Sequence, residues 1–316
     1  MAYQTGVSGS VGDLINAVAA FAVANGFESI SQETIGSYTV RKLRKDGVFF
    51  NFEMGSAGTN LRLNTATGVL GTGRIEQEPG AAKASCKVTP IVGPHVGYHL
   101  FGDGQSVHVV VELVTGVFQH FSFGFITKAG NWTSGAFVSG NNWSDQLIGN
   151  PSTLRPWDDG YHSRHFDGRQ SYGPSSSAIN TSAYERAHLR ATYAGQDIAD
   201  FGGGSYQGNA NSVYINSLVK GSFLSWGYEL FEDSPNAWNT RTALIPIAMI
   251  IGSTYETNPA NWLQVGVLPN AAGVNLLNLN PKETINSDWM VFPLCQKNGD
   301  GISYVNTQNV GMAYKK

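Results

Sequence analysis

The sequence predicts a mainly β protein of the α+β kind: an antiparallel β-sandwich or meander with a small N-terminal α-β-β-β unit. Three observations predict it. Glycine is 38 of 316 residues, about 12% against about 7% on average, which supplies many turns and few long helices. The stretch from Tyr98 to Trp143 alternates short β-branched and aromatic runs with Gly-Asp-Gly, Thr-Gly and Lys-Ala-Gly-Asn turns, the pattern of a meander. Only residues 10–26 carry a convincing helical period.

Taken in order, Ser10 caps that helix and Asp13 sits in its first turn, where the dipole favours an anion. Leu14, Val18, Phe21 and Ala22 recur at helical spacing, and Ile15 and Val23 widen the apolar stripe. Asn25-Gly26 supplies a left-handed stop. Ser37–Leu43 alternates, Lys45-Asp46-Gly47 turns tightly, and Val48–Met54 returns, which makes a hairpin. Asn60–Asn64 is the third strand of this unit. Residues 71–95 read as a loop, with Pro79, Pro90 and Pro94.

The meander occupies 96–143. Residues 144–212 are dominated by turn formers and read as a long irregular insertion, with a short helix near Ser182–Leu189. Strands resume at Val213–Val219, Phe223–Phe231, Leu244–Ile251, Trp262–Leu268, Trp289–Leu294 and Ile302–Val305. Pro246 puts its strand at a start or an edge. The chain thus divides into an N-terminal helix-plus-hairpin unit, 1–95, and an antiparallel β domain, 96–316.

Charge is scarce: 14% of residues, against about 25% in average soluble proteins. Either the surface is polar without charge, or neighbouring subunits cover it, since interface cores are depleted of charge. The net charge of −3 argues against a nucleic-acid binder, which usually carries a basic stripe. The opening MAYQTGVSGSVGDL lacks a basic start and an apolar core, so no signal peptide is expected. The apolar run Ala243–Gly252 is far below the roughly 20 residues that span a bilayer, so no membrane insertion is expected. Sequons at Asn131, Asn142 and Asn180 are then accidents of composition. Cys86 and Cys295 could form a disulfide, but a reducing compartment favours two thiols.

Chemical motifs are wanting. There is no nucleophile elbow, Walker A loop, dinucleotide fingerprint or zinc knuckle, so neither an enzyme nor a cofactor is expected. His99, His108 and His120 lie in or beside the meander strands. Without ligand spacing or acid partners they read as strand-face residues with local hydrogen bonds. Trp132 and Trp143 each follow Asn and read as turn markers or sugar-stacking platforms. The densest cluster is Trp157, Asp158, Asp159, Tyr161, His162, Arg164, His165 and Phe166, with Asp167. Adjacent aspartates fit neither a glycosidase pair nor a Ca²⁺ loop. A hydrogen-bonded loop at a subunit contact is the plainest reading, with carbohydrate or receptor contact as the alternative.

Several segments carry a resemblance: MAYQTG, DLINAVAAFAVANGF, KLRKDGVFFNF, VHVVVELVTGVFQHFSFGFITKAGNWTSGAFVSG and the close WMVFPLCQKN…GMAYKK. The pattern resembles a family of tailed-bacteriophage virion structural proteins associated with tail, neck or baseplate. Phe27 stands where the relatives typically have Trp, and the likeness is weakest over 144–212. The resemblance brings no catalytic residues. It implies synthesis in the host cytoplasm and localisation in the virion. The implied partners are other virion proteins and copies of itself, in rings of three, six or twelve. A receptor- or glycan-binding tail-tip module is the alternative it leaves open.

Overall fold

Ser10 caps the first and only helix among the described residues, α1 (Val11–Ala24), as its side chain implies: its Oγ accepts from the Asp13 amide at 3.1 Å. At the other end the Asn25 amide closes on Phe21 and Ala22 carbonyls, and Gly26 takes the left-handed conformation at φ 86°. The helix buries Val11, Leu14, Ile15, Val18, Ala19, Phe21 and Ala22. Val23, expected in the stripe, faces outward and is exposed. The computed structural model describes residues 1–55, 58, 61–71, 74–75, 77–81, 85–129, 133–140, 188–193, 196–198, 211–215, 242–253, 263–297 and 310–316.

The expected hairpin is β3 (Tyr38–Lys45) and β4 (Val48–Met54), with Asp46 and Gly47 both at positive φ. This is the geometry that matches strand twist in a two-residue turn. The expected third strand is β5 (Leu61–Ala66). Two further strands complete this sheet: β2 (Glu28–Ile35) and the short β6 (Cys86–Val88). Its order is β2-β3-β4-β5-β6, antiparallel throughout. The sequence hides β2 because ESISQETI is almost wholly polar, and β6 because it lies in the proline-rich stretch.

The meander is β7 (His95–Gly102), β8 (Ser106–Val114), β9 (Val117–Phe125), the two-residue β10 (Thr127–Lys128) and β11 (Thr133–Gly140). The N-terminal strand β1 (Ala2–Ser8) joins β7 at one edge. At the other edge stand β12 (His188–Tyr193) and β13 (Gln196–Ile198). The central sheet therefore runs β1-β7-β8-β9-β11-β12-β13. Part of the stretch expected to be irregular is thus sheet. His188 and Leu189, expected in a helix, pair with Val138 and Phe137 of β11, whose free edge overrides the local helical preference.

A third sheet holds β14 (Asn211–Ile215), β15 (Leu244–Ser253), β16 (Leu263–Asn275), β17 (Thr284–Ile285), β18 (Trp289–Pro293) and β19 (Val310–Lys315). Its order is β14-β15-β16-β19-β18-β17, with β10 also pairing β16. β15 is an interior strand, yet Pro246 escapes the usual conflict. β14 pairs only with Met249–Ser253, so Pro246 lies where that side of β15 has no β14 partner, next to a register shift. The strands expected at Phe223–Phe231 and Ile302–Val305 lie outside the described residues.

The middle of the central sheet, strands β8, β9 and β11, is buried on both faces. Leu100, Val107, Val109, Val111, Phe121, Phe123, Ala136 and Val138 face α1 and the β2–β6 sheet in one apolar core. There Phe123 packs edge-on against Phe27, Phe52 and, tilted, Phe50, with ring centres 4.9–5.9 Å apart. The alternate residues His99, Phe101, His108, Phe118 and His120 face the third sheet, where Phe292 and Tyr314 meet them. Two covered faces explain why VHVVVELV reads as a nearly continuous apolar run instead of a clean alternation. The architecture is antiparallel sheets stacked face to face, mainly β with one small helical element.

Candidate functional site

Where the central sheet meets the third sheet, histidines carry the contact. His120 Nε2 donates to the Pro293 carbonyl at 2.8 Å. A carbonyl can only accept, so Nδ1 is the acceptor, and it receives the Tyr314 hydroxyl at 3.0 Å. His108 repeats the arrangement: Nε2 donates to the Pro269 carbonyl and Nδ1 receives the Ser122 hydroxyl, both at 2.8 Å. His95, on the helix side, donates to Ile91 and accepts from Ser8. His99 Nδ1 lies 2.9 Å from the Tyr3 hydroxyl.

Burial pushes His108 and His120 down from 6.5 to about 4, only partly countered by the carbonyls they bond. His99 also sits at about 4, through burial first and then Lys282. These imidazoles are therefore neutral at pH 7. In His95, His108 and His120 both ring nitrogens are already committed, so none of these three has a lone pair to offer a metal or a proton in transit. Among the described residues no group of three or more His, Cys, Asp or Glu could hold a metal ion. Local hydrogen bonds were expected: His108 makes one, to Ser122 on the neighbouring strand, and adds Pro269, 161 residues away, while His120 bonds Pro293 and Tyr314, 173 and 194 residues away. The distant bonds have a physical reason: the third sheet covers this face and brings its carbonyls and Tyr314 against the histidines. Further ties join the same layers: Lys282 to Glu112 at 3.0 Å, Asn270 to Asp103, and the Phe118 amide to the Cys295 carbonyl at 2.7 Å.

A second polar cluster lies on the outer face of the β2–β6 sheet. Lys42 and Glu78 are both fully buried and meet at 2.7 Å, with Glu33 at 3.5 Å. Arg74 grips Glu53 through two bonds, at 2.6 and 3.0 Å, and covers the Tyr38 ring at 4.1 Å. Glu78 also accepts the Leu70 amide at 2.6 Å. These ion pairs tie Arg74 and Glu78 to the sheet. Asn51, on the same face and fully buried, has neither its Oδ1 nor its Nδ2 hydrogen-bonded among the described residues. Cys86 and Cys295 are free thiols, and burial pushes Cys295 up to about 12, out of the reactive range.

The third feature is the outer edge of β1. Ala2–Ser8 pairs on one side with β7 and on the other with nothing among the described residues. It carries no charge and no proline. Tyr3 is 36% exposed and Val7 76%. The sequence signal was present, since the aromatic or β-branched Tyr3, Thr5 and Val7 alternate with Ala2, Gln4, Gly6 and Ser8. A short alternation of mixed polarity before a strong helix is easily passed over.

Trp132, Trp143 and the cluster Trp157, Asp158, Asp159, Tyr161, His162, Arg164, His165 and Phe166 all lie outside the described residues. No helix among the described residues is long and apolar enough to cross a membrane. Comparison with protein-family models and with curated protein sequences returns no match.

Proposed function

We propose that the chain is a structural subunit of a bacteriophage virion, in the tail, neck or baseplate, which acts by assembling with neighbouring subunits. The observation that carries the reading is the open, uncharged edge of β1 on a chain with only 14% charged residues. Monomeric proteins usually blunt such an edge with charge, proline or brevity, because it is a template for another chain. The resemblance to tail-associated virion proteins supplies the class of particle. Proteomics of purified particles tests the reading. The chain present in fixed multiple copies per particle supports it, and its absence from particles overturns it.

A receptor- or carbohydrate-binding module at the tail tip is the second reading. The aromatic and charged run from Trp157 to Phe166 favours it. Binding of the full chain to host-surface glycans, lost on joint replacement of Trp157, Tyr161 and Phe166 by alanine, is the expected outcome for that reading.

A further inference from the structure

The end strands of the three sheets are protected to very different degrees. β2 is long but carries Glu28 and Glu33, and Glu28 pairs with Arg44. β6, β13 and β17 are three residues or shorter. β14 is uncharged but only five residues long. β1 alone offers seven uncharged residues. Where its pairing with β7 shifts between Gly6 and Ser8, the extra residue belongs to β7, so β1 itself stays regular. Val96, in that irregular stretch of β7, is also about half exposed and extends the apolar strip beside Val7.

From this edge we infer that β1 is the seam between two copies of this chain, joined antiparallel about a two-fold axis at Thr5. The occupant is argued from the strand's own sequence. Folding AYQTGVS against itself about Thr5 sets Tyr3 opposite Val7, Thr5 opposite Thr5, Gln4 opposite Gly6 and Ala2 opposite Ser8. Aromatic against β-branched and threonine against threonine are favourable cross-strand pairs, and no like charges oppose. Such an isologous contact closes on itself, and it would continue the central sheet from one subunit into the next. The other long edge cannot pair with itself so well, because Glu28 and Glu33 bring negative charge to both sides of the contact. This inference rests on the assembly reading above and names its partner surface.

Cross-linking in the full chain tests it, in a Cys295→Ser background that leaves only the buried Cys86. Three further variants carry Tyr3→Cys, Thr5→Cys or Val7→Cys, and a short bismaleimide is the probe. The seam predicts that Thr5→Cys links to itself, and that Tyr3→Cys links efficiently to Val7→Cys when the two are mixed. Tyr3→Cys alone links at least tenfold less, because its two copies lie four residues apart, about 13 Å at ~3.3 Å per residue. Equal linking by all samples, or none by any, overturns the seam. Sedimentation gives a second reading that needs no cysteine. Thr5→Lys, which sets two ammonium groups face to face at an exposed position, shifts a dimer to monomer, and an unchanged wild-type monomer contradicts the inference. The outcomes separate from those of the virion reading: a monomer found in particles removes the seam alone, and a linked dimer absent from particles removes the virion role alone.

Discussion

Tyr314 and His120 are 194 residues apart in sequence and 3.0 Å apart in space, the tyrosine hydroxyl donating to the imidazole Nδ1. Both side chains are fully buried, one on the last strand and one in the meander. Tyr314→Phe keeps the ring and its stacking on Phe101 but leaves Nδ1 without that donor. The expected cost is about 1–3 kcal/mol, the penalty for an unmet buried acceptor, read by denaturant unfolding. No measurable loss would mean that the seam between the sheets does not depend on this bond.

Acid should open the same seam. His108 and His120 titrate at about 4 when folded and at 6.5 when unfolded, so the unfolded chain takes up protons first as pH falls. Their stabilising contribution is complete above about pH 6.5 and declines as pH drops toward 4. Each then costs on the order of 3 kcal/mol, at 1.36 kcal/mol per unit. Unfolding free energy measured from pH 7 to 4 should fall, and less steeply in His120→Asn than in the wild type. Equal slopes would contradict the assignment.

The ion pair over the β2–β6 sheet gives an asymmetric expectation. Lys42→Met strands Glu78, which is fully buried, and should cost about 3–5 kcal/mol. Adding Glu78→Gln should recover much of that loss, because glutamine removes the charge and still accepts from the Leu70 amide. A double variant as unstable as the single one would count against a charge-driven cost.

Asn51 should behave in the opposite way. Its buried amide makes no hydrogen bond among the described residues, so Asn51→Leu, similar in shape, removes a desolvated group without breaking a pair there. Denaturant unfolding should find the variant as stable as the wild type or about 1 kcal/mol more so. A clear loss would reveal a partner.

These residues mark how far sequence reading reached. Ser10, Asn25-Gly26 and Asp46-Gly47 act locally, through caps and a turn, and the helix and hairpin they define were legible. The meander was legible as strands, but its second covered face was not, because Pro269, Pro293 and Tyr314 lie far along the chain. The β19 strand was hidden for a related reason: Met312, Ala313 and Tyr314 are all buried, so no alternation marks them. β1 and β2 were missed because edge strands are rich in polar residues. The site expected from sequence, Trp157–Phe166, lies outside the described residues, while the edge that the structure offers depends on which strand has no neighbour, a property of topology alone.

The central claim, a structural subunit that works by assembly, is tested most directly by a side-chain-resolution map of the intact particle. The account predicts several copies of this chain in symmetric contact within the tail, neck or baseplate, with β1 edges at a subunit boundary. A map of the complete particle with no density for this chain would contradict it.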